Sequence, residues 1–311
     1  MPKKDSPIEN VWSFFRAAGT VIKGIVSVGL TVLFIFIIWG SFSAATPRGN
    51  IAVIPVHGVI ATETPGFGAA FADPEQIRGW LEGANASDDI KAVVIEINSP
   101  GGSPVASAQI AEAIKRVDKP VIAVITETGA SGGYWVASAA DVIFAHPMSI
   151  TGSIGVTASS LAYPGLLGEF NLTYRRLVAG KYKDTGTPFR EMTQEEKDMY
   201  QHILDSLYDE FVHTVALNRN MDDNRVRELA TGFVYLGRQA KDLGLVDELG
   251  STNDAIDYAG KLVGVTPEPA RYKPQPGLMD ALTGRVQGAF YSVGEGIGSS
   301  LGSDQVEIAF R

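Results

Sequence analysis

The sequence predicts an α/β layer fold preceded by one membrane-spanning helix, on three observations. Short β-branched apolar runs alternate with helix-type stretches, helix-opening residues stand at the right places between them, and one uncharged stretch precedes them all. That stretch, "GIVSVGLTVLFIFIIWGSFSAA" over 24–45, is 22 residues long without a charge. As a helix it crosses roughly 30 Å of hydrocarbon. A cleaved signal peptide is the rival reading, since "FSAA" resembles a cleavage site, but an h-region of about 7 to 15 residues is shorter than this. Lys3, Lys4, Arg16 and Lys23 precede the segment and Arg48 alone follows closely. The positive-inside rule then leaves residues 1–23 in the cytoplasm and the rest outside it.

"IAVIPVHGVI" (51–60), "KAVVIEI" (91–97), "PVIAVIT" (120–126) and "DVIFA" (141–145) read as strands buried on both faces. Helices are predicted from Asp73-Pro74, from Ser103-Pro104 to about Val117, and from near Ser131. "TQEEKDMYQHILDSLYDEFVHTVALNRN" is a long amphipathic helix opened by a Thr193–Glu196 capping box. The globular domain is expected over 50–264. Beyond it, 265–311 begins as a proline-broken linker. Leu278, Leu282, Val286, Phe290, Val293, Ile297 and Leu301 then fall on one helical face, weakened by six glycines between Gly284 and Gly302. Disorder and weak association with a neighbour or a membrane are both open for this tail.

The composition excludes several functions. A net charge of -9 argues against nucleic acid as a partner. The absence of cysteine removes thiol nucleophiles, disulfides and thiolate metal sites. His57, His146, His202 and His213 form no ligand-spaced pair, and no cofactor or metal is implied.

Two strand-to-helix turns remain. "INSPGGSP" (97–104) offers backbone N–H groups unobstructed by side chains, as a developing oxyanion needs, although such turns are often glycine-rich for steric reasons alone. "TETGASGGYWVASAA" (126–140) puts Ser131 at the mouth of a helix, where a serine is either a nucleophile or a cap. No histidine is placed persuasively as its base; His146 reads as a turn residue before a proline. Lysine is the remaining base, and "VAGKYKDTGTPF" (178–189) supplies Lys181 and Lys183, both also readable as solvated loop charges. A lysine amine near its ordinary value is neutral in about one molecule in a thousand at pH 7.4, so a lysine base must be desolvated.

"NSPGG" (98–102), "ASGGYW" (130–135), "TGSIGV" (151–156) and "GKYKD" (180–184), in that order, resemble the signal peptide peptidase A (SppA) family of the Clp protease/crotonase superfamily. The resemblance covers about 50–264 and the anchor, in the family's short, single-repeat form. It implies a layered Clp protease/crotonase-like α/β domain and a Ser/Lys serine endopeptidase that degrades cleaved signal peptides or similar short apolar peptides. Carried over by position, Ser131 is the nucleophile, Lys183 the general base, Ser153 the residue orienting the lysine, and the N–H groups of Gly102 and Gly132 the oxyanion hole. It also implies homo-oligomers whose sites are shared between protomers. Three alternatives remain: a sister membrane peptidase cutting a stomatin-like protein, a crotonase-like acyl-CoA enzyme, which needs neither Ser131 nor an anchor, and a catalytically dead scaffold.

Overall fold

The apolar runs build the centre of one sheet. β1 (Ile51–His57), β4 (Ala92–Ser99), β5 (Val121–Ala130) and β6 (Val142–Ala145) lie side by side and parallel. They are apolar on both faces because both faces are covered. On one face Val93, Ile95, Ala123 and Ile125 pack with Ile77, Leu81, Ile110 and Tyr134. On the other, Val53, Val94 and Ile122 pack with Ala255, Ile256 and Ala259. The structure is a computed structural model that describes residues 47–62 and 71–273, with a few helical positions between 23 and 32.

The chain divides into two units, Met1–Pro47 and Arg48–Arg311. The segment 24–45 expected to span a membrane lies almost wholly outside the described residues. Among the described residues no helix is long and apolar enough to cross a membrane. The tail from 274 onward also lies outside them.

The helices of the second unit open as their capping residues dictate. Asp73 accepts from the Glu75 N–H at the start of α1 (Pro74–Ala86), and Ser103 from the Ala106 N–H at the start of α2 (Pro104–Lys115). α3 (Gly132–Ser138) and α4 (Pro164–Glu169) are short. The Thr193–Glu196 capping box opens α5 (Gln194–Arg219), which ends at left-handed Asn220. α6 (Asp223–Leu229), α7 (Gly237–Asp242) and α8 (Thr252–Val263) complete the set.

Several boundaries differ from expectation. The run 51–60 is not one strand: Gly58, at φ +82°, breaks it, and β2 (Val59–Ile60) leaves to pair with β3 (Phe71–Ala72). β5 does not stop at 126 but continues through the polar "TETG" to Ala130. There it exchanges β6 for β7 (Ile150–Gly152), which pairs antiparallel with β8 (Val234–Leu236). β9 (Glu248–Leu249) lies beside β6 at one edge of the sheet. The domain also runs past 264, because β10 (Pro269–Arg271), inside the stretch read as linker, adds to β1 at the other edge. An edge is where a strand can begin on a proline.

Candidate active site

Strand register brings the two candidate serines together. β5 and β7 run parallel with Thr128 opposite Ile150, Gly129 opposite Thr151 and Ala130 opposite Gly152. Ser131 and Ser153 are the next residues of each strand and so emerge at one level. Their backbones turn alike, with φ +52° at Ser131 and +51° at Ser153, in the region that L-residues seldom occupy. The Ser131 N–H donates to the Gly152 carbonyl at 2.8 Å, and its own carbonyl accepts from Tyr134 and Trp135 at 2.9 and 3.0 Å.

Ser131 stands in the cap position of α3, yet its hydroxyl caps nothing. Asp73, Ser103 and Thr193 each use a side-chain oxygen to cap their helix, whereas Ser131 makes no such bond and lines a cleft. A non-glycine residue held at φ +52°, ψ −123° stores about 1–3 kcal/mol, which surrounding structure must hold in place. Here α3 is fixed from several sides. Trp135 stacks on Phe211 at 4.6 Å, the Tyr134 hydroxyl donates to the Leu245 carbonyl at 2.8 Å, and Asn218 donates to Ser138 at 3.1 Å. A Cβ on Gly133 would stand 2.7 Å from the Ser99 carbonyl oxygen, so only glycine lets the helix sit this close to β4.

The glycine turn lies against this elbow. A Cβ on Gly101, at φ +100°, would come within 2.9 Å of Ser131 Cβ and 2.7 Å of the Gly132 nitrogen. The turn is held by Ile60, whose N–H donates to Gly101 at 2.9 Å and whose carbonyl accepts from Ser103 at 2.8 Å. This ladder skips the Gly102 N–H. Among the described residues neither Gly102 nor Gly132 donates its N–H to any group, and a Cβ on Gly132 would stand 3.3 Å from the Gly102 nitrogen. Two uncommitted amides beside a serine hydroxyl are what an acyl-transfer site needs for its oxyanion.

Ser131 and Ser153 share a cleft of about 290 Å³ with Gly155, Val156, Tyr208 and Gly232. The Ser153 hydroxyl donates to the Gly232 carbonyl at 3.2 Å, and the Tyr208 hydroxyl to the Ala230 carbonyl at 2.9 Å. Tyr208 was not expected here. It lies three residues before Phe211 on the amphipathic face of α5, where its spacing suggests the edge of a core.

No histidine lines this cleft. His57 lies 3.3 Å from Glu96, His213 pairs with Asp223 at 3.0 Å, and His146 accepts from the Met148 N–H at 3.2 Å within its turn. Among the described residues no group of carboxylates and imidazoles could hold a metal ion.

The two lysines have different surroundings. Lys181 holds Glu195 at 2.7 and 2.8 Å, and this carboxylate raises its pKa and keeps it protonated. Lys183 is exposed in the turn 181–186, with no side-chain partner among the described residues. It does not line the Ser131 cleft of its own chain.

The turn is tied down by its other charges. Asp184 takes Arg176 at 2.6 and 2.7 Å and Arg190 at 3.1 Å. Arg190 also reaches Glu196, at 2.6 and 2.8 Å, and Glu196 accepts from Thr185 and from the Thr193 N–H, both at 2.9 Å. Hydrogen bonds from Arg190, then the Thr193 N–H, hold the Glu196 carboxyl well below the usual carboxylate range. Its folded value is lower than its unfolded one, so its contribution to stability is present above about pH 4.3 and fades as the pH falls below it. Thermal melts between about pH 5 and pH 3 should show Glu196→Gln losing part of the acid-side decline of the native chain, while melting lower than the native chain at neutral pH.

Comparison with known proteins gives the family of the chain. Residues 113–266, which include Ser131, Ser153 and Lys183, match Peptidase family S49. The "Putative protease MJ0651" of Methanocaldococcus jannaschii is 38% identical over 71% of this chain and 71% of its own. The "Putative signal peptide peptidase SppA" of Enterococcus faecium is 40% identical over 68% of this chain and 63% of its own. Among solved structures, a ClpP1 mutant from Listeria monocytogenes superposes with a TM-score of 0.45 at 18% identity, covering 65% of this chain and 93% of that one. A mixed α/β domain with a serine at a strand-to-helix elbow and amides beside it is thus found in a serine-type peptidase. The chain belongs to peptidase family S49.

Proposed function

We propose that this chain is a membrane-anchored endopeptidase that cuts remnant signal peptides or similar short apolar peptides on the extracytoplasmic side, with Ser131 as nucleophile and Lys183 as base. The observation that carries this reading is the elbow. Ser131 is held in a strained turn at the wall of the cleft, its hydroxyl free of any cap, beside the uncommitted amides of Gly102 and Gly132. Ser131 Oγ attacks the scissile carbonyl while its proton passes to Lys183 Nζ. The two amides take the oxyanion, each contributing about 3 kcal/mol to the transition state. The proton then leaves with the departing amine; water, deprotonated by the same lysine, attacks the acyl carbon, and the bond to Ser131 Oγ breaks as Oγ takes the proton back from the lysine.

A second copy of the chain supplies the lysine. In a single chain Lys183 faces solvent, on a segment that also exposes Leu161, Phe170, Leu172 and, at 96%, Leu177. So much apolar surface around one cation favours a buried contact between protomers, and that contact would desolvate the amine. The uncharged stretch 24–45 supports anchoring, with the apolar substrate arriving from the same bilayer.

Incubating the detergent-solubilised full chain with a synthetic apolar signal peptide, a stomatin-like segment and a polar control, with products read by mass spectrometry, tests the reading. The signal peptide should be cut with a kcat/KM at least about 10-fold above the others, a margin that corresponds to about 1.4 kcal/mol. Preference for the stomatin-like segment would replace the substrate while keeping the chemistry. A folded chain that cuts none of the three would overturn both.

A further inference from the structure

We infer that Arg190 is a positioning residue for the Lys183 turn: its guanidinium, held between Asp184 and Glu196, locks the turn onto the amino end of α5. The inference rests on Lys183 being the base. Three stretches of chain meet at this point. Asp184 follows Lys183 directly, Arg190 sits six residues on, and Glu196 lies in the first turn of α5, where its carboxylate already closes the capping box.

The geometry is that of a clamp rather than a solvated charge cluster. Glu196 is 4% exposed, and the side chains of Asp184 and Arg190 are 11% and 22% exposed. Arg190 reaches both carboxylates with a planar fork, which a lysine cannot reproduce. From the other side Arg176 grips Asp184 and also donates to the Lys181 carbonyl at 2.9 Å. Lys181 itself is engaged by Glu195.

Charge in this turn is therefore distributed in a selective way. Within 181–186 the other two charged side chains, Lys181 and Asp184, are each held by a named partner, and Lys183 has none among the described residues. Arg190 and Arg176 together balance Asp184 and Glu196, so no carboxylate in the cluster is left over to pair with Lys183. A carboxylate on Lys183 would hold it protonated and spoil it as a base. The clamp thus does two things at once: it fixes the backbone on either side of Lys183 and keeps the Asp184 and Glu196 carboxylates engaged.

Catalytic geometry is sensitive to such support, since displacement by about 1 Å can cost about 100-fold in rate. The test compares Arg190→Gln, Arg190→Lys, Arg176→Gln and Lys183→Ala in the full-length chain. Peptide hydrolysis and hydrogen exchange are followed together. Arg190→Gln should lower kcat by about 10- to 100-fold with KM within about 2-fold, and should speed exchange in 176–190 without opening the core strands. Arg190→Lys should recover part of the rate but not all of it. Arg176→Gln, which removes only the more exposed arm of the clamp, should show the same pattern more weakly and serves if Arg190→Gln fails to fold.

An unchanged kcat in folded Arg190→Gln beside an inactive Lys183→Ala would overturn the inference alone. Loss of kcat with unchanged exchange in 176–190 would overturn positioning as the cause. Full activity in Lys183→Ala would overturn the base assignment and this inference with it.

Discussion

Ser131→Ala is expected to lower kcat for peptide hydrolysis by about 10⁴- to 10⁶-fold and to abolish labelling by a fluorophosphonate probe. Under the proposed mechanism the residual rate would come from the amides of Gly102 and Gly132 and from binding, neither of which needs the hydroxyl. The loss should be separable from unfolding. The Ser131 hydroxyl makes no cap, and alanine carries the same Cβ through the same φ of +52°, so stability should change by no more than about 0.5 kcal/mol. Ser131→Gly makes the complementary case: it removes the hydroxyl and the Cβ together, relieving part of the roughly 1–3 kcal/mol stored in the turn. An inactive variant that melts above the native chain would identify the elbow as a place where stability is given up for chemistry. Wild-type activity in Ser131→Ala would remove Ser131 from the mechanism.

Lys183→Ala is expected to cost about 10²- to 10⁴-fold in kcat, the range for a positioned proton acceptor. Mixing it with Ser131→Ala should restore activity. On the proposed dyad each variant lacks one half, and a cleft formed between an intact serine and an intact lysine from different copies would be complete. In a two-variant mixture with random exchange, about one cleft in four has both halves, so recovery should approach a quarter of the native rate when sites are shared between neighbours. Mixed assemblies, verified by differential tagging, that remain inactive would place both halves of the site in one chain. The exposed position of Lys183 and the apolar segment around it favour recovery.

The sheet's centre was legible because the parts of strands buried on both faces must be apolar throughout, and 92–95, 121–125 and 142–145 are. The extension of β5 was not, because "TETG" alternates exposure as it leaves the covered part of the sheet and looks like a loop. β10 was hidden for a related reason. It starts at Pro269 among other prolines, and only the open edge of β1 makes it a strand.

For the site, residue types and order identified both turns, and the structure brings Ser131, Gly102, Gly132 and Ser153 together. The backbone strain at Ser131 left no mark in composition, since serine has no preference for positive φ. Tyr208 was hidden by helical periodicity, which does not distinguish the wall of a cleft from the edge of a core. The second duty of Glu196 was masked by its first, because a capping box already explains a glutamate at that position.

The bond from the Ser131 N–H to the Gly152 carbonyl has a mechanical consequence. It joins the elbow to the strand that carries Ser153, so a displacement of one strand is transmitted to the other and the two serines are mechanically coupled. The lysine turn is tied instead to the amino end of α5. The serine elbow and the lysine turn are thus built on separate elements, so under the proposed dyad the seating of one against the other can change while the serine elbow stays as it is.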